Sequence, residues 1–148
     1  MPATADEPGS TTKTIEKVVV TGQRPNPEAA EAADAARKRP GNVSVIAAEE
    51  FEDRYTVNFR DSLQFTPGVI AQPRFGEEVR LSIRGSGLAN NAHLRGVELL
   101  FDGVPINGAD GFGDFQELDP TFASFITVNR GANAFASGSA TLGGSIEL

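Results

Sequence analysis

Cysteine and tryptophan are absent from this chain of 148 residues, histidine and tyrosine occur once each, and 13 Lys and Arg face 20 Asp and Glu. Without cysteine there is no disulfide and no thiolate metal site. The compartment stays open, because a cysteine-free chain suits oxidising and reducing surroundings alike. The lone histidine, His93, leaves no His/Cys cluster to hold a transition metal. A net charge of −7 argues against nucleic acid, whose phosphates require a basic patch, and against a peripheral anchor on anionic lipid. No apolar run approaches the roughly 20 residues of a membrane-spanning helix. The opening Met1-Pro2-Ala3-Thr4-Ala5-Asp6-Glu7 has neither the basic nor the apolar region of a secretory leader, and it reads as a mature segment behind a start methionine.

What the chain does have is 16 glycines and 9 prolines, the mark of a fold with many turns and few long helices. Residues 1–13 are rich in Ser, Thr, Pro and Gly and carry no periodic apolar signal, so they are expected to be disordered. Ile15-Glu16-Lys17-Val18-Val19-Val20-Thr21 is a β-branched run that stands alone in polar sequence with no turn to pair it. Asn26 and Pro27 open a helix to Lys38 as N-cap and first helical residue, with acids early and Arg37, Lys38 and Arg39 late, in the order the helix dipole favours. Its alanines form no strong apolar stripe, so that helix depends on docking.

From Asn42 the pattern tightens. Val43, Val45 and Ile46 mark a strand. Residues 47–54 and 57–65 read as short helices, the second with Phe59 and Leu63 one turn apart and stopped by Thr66-Pro67-Gly68. Val79, Leu81 and Ile83 alternate with Arg80, Ser82 and Arg84 as a half-buried strand. Residues 97–101 and 104–106 flank Asp102-Gly103, the strongest hairpin signal in the chain. Residues 125–129 and 141–148 are further strands, Asp119-Pro120 opens a helical turn, and residues 132–136 read as another short helix. The mixture predicts an α+β fold, a small mixed β-sheet with short helices behind a flexible N-terminal extension. Residues 1–41 form the flexible segment and residues 42–148 the domain, its sheet held by Val43, Val45, Leu81, Ile83, Leu99, Phe101, Ile126, Val128 and Ile146.

Catalytic and metal motifs fail on inspection. Asp102, Asp110 and Asp114 lack the acidic order and closing glutamate of an EF-hand. Gly85-Ser86-Gly87 lacks the frame of a nucleophile elbow, and no motif links His93 to any serine. Neither an enzyme nor a cofactor is expected.

Four pieces in order carry a resemblance: Asp61-Ser62-Leu63-Gln64-Phe65-Thr66-Pro67-Gly68-Val69; Leu81-Ser82-Ile83-Arg84-Gly85; Leu99-Leu100-Phe101-Asp102-Gly103-Val104-Pro105-Ile106-Asn107; and Asp119-Pro120 leading through Ile126-Thr127-Val128-Asn129-Arg130-Gly131 to Gly138 and Leu142-Gly143-Gly144-Ser145-Ile146. Together they resemble the plug domain of TonB-dependent outer-membrane transporters. The chain departs from that pattern in Phe125-Ile126-Thr127-Val128-Asn129, where charged residues are common, and in Ala132-Asn133, where proline is frequent.

The resemblance implies a gate lodged in a β-barrel of roughly 22 strands, a barrel too large for this chain to contain at roughly ten residues per strand. It implies a bacterial outer-membrane location, the plug facing the periplasm, and three partners: the TonB C-terminal domain, the transporter's own barrel, and a small-molecule substrate such as a ferric siderophore or similar chelate. Residues 15–21 resemble the TonB box, a strand offered to another protein's sheet edge by β-augmentation. Arg84 and Arg130 correspond to the family's arginines that pair with barrel glutamates and latch the plug, a task suited to the bidentate guanidinium. Outward loops at residues 71–78, 86–91 and 107–115 would meet substrate through Gln72, Arg74, Phe75, Asn90, Asn91, Asn107 and Phe112. The rival expectation is a stand-alone periplasmic module that keeps the plug fold and binds a ligand or TonB without a barrel.

Overall fold

The computed structural model describes residues 26–52, 54–76, 78–87, 94–113, 115, 118–131 and 141–148. The TonB-box-like run at residues 15–21, Asn90, Asn91, His93, Asp114 and the short helix expected at residues 132–136 lie outside these described residues.

Helix α1 (Pro27–Lys38) forms where the caps place it. The Asn26 side chain accepts from the amides of Glu28 at 3.0 Å and Ala29 at 3.4 Å, and its Nδ2 donates to the Ser124 carbonyl at 3.0 Å. One residue thus caps the helix and pins it to a segment 98 positions away. The helix then lies on strand β1 (Asn42–Ala47), with Ala29 buried. The flexible segment expected over residues 1–41 therefore includes a helix that packs on the domain, and docking supplies what its weak apolar stripe does not.

Helices α2 (Ala48–Glu52) and α3 (Phe59–Leu63) follow, each shorter than the sequence pattern indicates. Next come the strands β2 (Val69–Pro73), β3 (Val79–Ile83), β4 (Val97–Phe101) and β5 (Val104–Pro105), a 3₁₀ turn (Pro120–Phe122), β6 (Phe125–Arg130) and β7 (Gly144–Glu147). The strands make two sheets: a five-stranded one in the order β1-β6-β7-β4-β5, and the β2–β3 hairpin. The β4–β7 pair is parallel and the remaining pairs antiparallel, so the main sheet is mixed, as expected. Asp102 and Gly103, at φ +48° and +77°, make the tight turn between β4 and β5 that the Asp-Gly pair indicates.

Two expectations are corrected. Residues 71–78 do not form one outward loop, because Ala71-Gln72-Pro73 belong to β2, paired with Leu81, Arg80 and Val79. Nor does a single sheet hold the nine residues named for it. Leu81 and Ile83 lie in the separate hairpin, Val43 and Val45 are half-buried, and Phe101, at the end of β4, is 42% exposed. The core lies between the two sheets and the short helices. Ile46, Ile126, Val128, Ile146, Val97 and Leu99 line one face of the main sheet, packed with Phe51, Phe59, Leu63, Leu81 and Ile83. The face carrying Val43, Val45, Thr127 and Asn129 meets α1 and leaves a groove of about 480 Å³ beside it, lined by Glu28, Ala36, Phe101 and Phe122 among others.

Candidate functional site

The two Arg-Gly pairs meet at one end of the molecule, and turn chemistry brings them there. Arg84 and Gly85 take φ of +52° and +89°, and the Ser86 amide returns to the Ile83 carbonyl at 2.9 Å. This is a two-residue turn with both central residues left-handed. Glycine at the second position is unstrained, while the arginine at the first is held there by the Ile83–Ser86 bridge and by its own amide, which donates to the Gly68 carbonyl at 2.9 Å. Arg130 ends β6, and Gly131 follows at φ +91°. Between the arginines sits Gly68. A Cβ there would lie 3.7 Å from the Arg84 Cγ and equally 3.7 Å from the Arg130 Cδ, so both stems run along this glycine.

The two side chains differ in surroundings. Arg84 is exposed. Arg130 is buried to 9% exposure, its Nη1 donating to the Pro67 carbonyl, its Nη2 to the Ser44 hydroxyl at 2.7 Å, and its Nε to the Asn42 carbonyl at 3.4 Å. Burial, and then the charge of Arg84, lower the Arg130 pKa from the ordinary guanidinium value. Among the described residues no carboxylate pairs with either arginine. Among the described residues the site is therefore a local positive spot without a paired acid, in a chain of net charge −7.

The described residues expected to touch substrate differ in their surroundings. Gln72 sits within β2 opposite Arg80. Arg74 is engaged within its own turn: its amide donates to the Glu78 carbonyl at 2.8 Å and its Nη1 stands 4.0 Å from the Glu78 carboxylate. Phe75, at the tip, is 93% exposed. Since Val69 pairs with Ile83, this tip lies at the far end of the hairpin from Arg84, about 15 Å away along strands of this length. Asn107 is a structural residue in this chain. Its Oδ1 accepts from the Leu99 amide at 2.7 Å and its Nδ2 donates to the Val97 carbonyl at 3.1 Å, extending the β4 edge where β5 has ended. Phe112 is 38% exposed in a loop whose Gly111 carbonyl accepts from the Leu94 amide at 2.8 Å. Among the described residues no group of three His, Cys, Asp or Glu is placed to hold a metal ion.

Sequence reasoning missed Glu98. It pairs across β7 with Ser145, whose hydroxyl accepts from Asn129 Nδ2 at 3.1 Å, and it is 8% exposed with Oε2 unpartnered. Burial raises its pKa above the ordinary carboxylate value. Above the folded-state pKa the native protein carries a desolvated charge that the unfolded chain does not. Below the ordinary carboxylate value, about 4.5, both states are neutral and that penalty is gone. Glu98→Gln is thus expected to stabilise the chain by about 1 kcal/mol at pH 7. Its advantage should shrink to nothing as pH falls below that value, as read from urea unfolding at a series of pH values.

The described residues thus form a mixed sheet with a hairpin against its core, glycine-built turns and a cationic end. The family model described as TonB-dependent Receptor Plug Domain matches residues 35–145, and the chain belongs to that family. It is 33% identical over 145 residues to the iron-regulated outer membrane virulence protein of Vibrio cholerae serotype O1, a match covering 93% of this chain and 20% of that protein. Among solved structures it is similar to a variant of the ferric enterobactin receptor PfeA from Pseudomonas aeruginosa, at 26% identity and TM-score 0.57 over 78% of this chain and 18% of the receptor. The siderophore receptor PirA from Acinetobacter baumannii matches at 27% identity and TM-score 0.57, again over 78% and 18%. The hemophore receptor HasR of Serratia marcescens shares the fold at 22% identity and TM-score 0.58, over 77% of this chain and 17% of HasR. The chain thus spans about a fifth of the length of the relatives it matches. The Vibrio relative is named as an outer membrane protein, and the solved structures are named as receptors.

Proposed function

We propose that this chain is the gate of an outer-membrane transporter for a ferric siderophore or similar chelate. It occludes a surrounding barrel, is latched to that barrel by arginine, and hands residues 15–21 to TonB for energy coupling. The observation that carries the reading is the Arg84–Arg130 spot. Two cations brought together at a turn, with no carboxylate paired to either among the described residues, favour an anion from outside the domain. Glutamates on a polar barrel wall meet that need, and the guanidinium fork fixes orientation as well as charge. The siderophore class is supported by the relatives named as receptors for such ligands. Phe75 is the exposed aromatic face that such a ligand would meet.

The coupling step rests on β-augmentation. An extended Val18-Val19-Val20 segment adds to a sheet edge of TonB, each backbone hydrogen bond contributing about 0.5–1.5 kcal/mol net. Proline removes a donor and restricts its neighbour, so Val19→Pro is expected to weaken binding of the TonB C-terminal domain about tenfold or more. Titration calorimetry with the wild-type and Val19→Pro chains checks this. Equal affinities would remove residues 15–21 from the coupling role.

A further inference from the structure

The surroundings of the two arginines assign them different tasks. Arg130 spends a donor from each of its three nitrogens on acceptors from two separate parts of the chain. The Asn42 carbonyl and Ser44 hydroxyl belong to β1, and the Pro67 carbonyl belongs to the turn that leads from α3 into β2. The next carbonyl along, that of Gly68, accepts from the Arg84 amide at 2.9 Å. The turn at residues 66–68 is thus gripped from both sides, by the Arg130 side chain and by the Arg84 backbone. This matters because the β2–β3 hairpin and the five-stranded sheet share no ladder. At this end of the molecule, Arg130 supplies a polar tie between them. Arg84 makes no such contact, and its exposed guanidinium stands over Gly131, where a Cβ would lie 3.4 Å from its Nη1.

We propose that Arg130 is an internal positioning residue that clamps the β2–β3 hairpin to the main sheet and seats the turn beneath Arg84, leaving Arg84 as the arginine that meets an external carboxylate. The inference refines the latch reading by dividing its two residues into a brace and a contact. A planar guanidinium reaches three divergent acceptors at once, whereas an ammonium on a flexible stem does not. Position 130 therefore depends on the shape of the fork and not on charge alone. The lowered Arg130 pKa agrees with a group already committed to the interior and crowded by a second cation. An anion arriving at Arg84 relieves that crowding and reaches the hairpin through the backbone of the same turn.

Site-resolved amide exchange on the full chain tests the division. The reporters are the Val69 amide, bonded to the Thr66 carbonyl at 3.2 Å, and the Arg84 amide, bonded to the Gly68 carbonyl. Arg130→Gln and Arg130→Lys are both expected to accelerate exchange at these amides about tenfold or more while the β6–β7 amides keep their protection, because a local opening is selectively favoured. Arg84→Gln is expected to leave both reporters unchanged. Should Arg130→Gln fail to fold, Arg130→Lys decides alone. Wild-type protection in Arg130→Lys, equal loosening by Arg84→Gln, or uniform acceleration through β6 and β7 would each overturn the proposal. The latch is tested separately, by whether Arg84→Gln in the complete receptor loosens the plug from its barrel.

Discussion

Phe59→Ala is expected to cost about 3–5 kcal/mol of folding free energy, the range for removing a buried aromatic ring from a packed core. Phe59 opens α3, is 1% exposed, and packs against Phe115 with ring centroids 5.8 Å apart. Its helix is a single turn capped by Asn58, whose side chain accepts from the Asp61 amide at 3.2 Å. So short a helix has little intrinsic stability, and its position is set by Phe59 and Leu63 on the core side. Removing the ring leaves a cavity beside Phe115 and frees the segment that ends in the 66–68 turn. Against a total of about 5–15 kcal/mol for a domain of this size, the loss is a large fraction of the stability. Urea unfolding followed by circular dichroism should show the midpoint fall with the slope unchanged. A loss below about 1 kcal/mol would mean that the site collapses around the missing ring and that α3 is held by something other than the core.

Local chemistry was the legible part of this fold. The capped helix at Pro27–Lys38, the alternating strand at Val79–Ile83 and the Asp102-Gly103 hairpin all follow from signals within a few residues, and all form. What could not be read is what distance decides. β6 lies between β1 and β7, so Ile126 meets Ile46 and Val128 meets Ile146, and no pattern in one segment specifies partners 80 residues away. Strand β2 was hidden for a local reason. Val69-Ile70-Ala71-Gln72-Pro73 has little alternation and ends in proline, which strands tolerate at their ends and edges. The sequence offered turn residues at that point, and β3 supplied the pairing.

The candidate site divides along the same line. The Arg-Gly pairs were visible as motifs, and their meeting follows from turns and strand ends that the fold provides. The burial of Arg130 carried no signal, because a strand-end arginine is ordinarily solvated, and its acceptors come from Asn42, Ser44 and Pro67 far back in the chain. The structural task of Asn107 was hidden for a different reason. An asparagine in a glycine-rich loop offers its amide to any ligand, and here the unpaired edge of β4 takes it. Exposed loop chemistry and edge-strand repair use the same side chain, and only the register tells them apart.

Gly144→Ala is the sharpest test of how the cationic end is built, with an expected loss of about 3 kcal/mol or more from overpacking and backbone strain together. Gly144 starts β7 opposite Arg130, at φ +144°, where a Cβ would lie 2.0 Å from the Asn129 carbonyl oxygen and 3.1 Å from Ile83 Cδ1. Neither neighbour can give way cheaply, since one is ladder backbone and the other a fully buried side chain. The backbone beside it is equally close: the Gly131 amide reaches the Gly143 carbonyl at 2.8 Å, and the Gly143 and Gly144 amides converge on the Gly96 carbonyl at 2.6 and 3.1 Å. A methyl group must therefore push β7 off β6 where Arg130 leaves the sheet. Gly76→Ala separates the two contributions, because its φ of +63° carries left-handed strain while nothing lies within 4 Å of its Cβ position. That variant is expected to lose only about 1 kcal/mol, the cost of the backbone conformation by itself. Urea midpoints for the two variants should differ accordingly, and amide exchange in Gly144→Ala should rise first at β7 and Arg130. Equal losses in the two variants would mean that left-handed strain alone sets the requirement for glycine, and that β6 and β7 can move apart without cost.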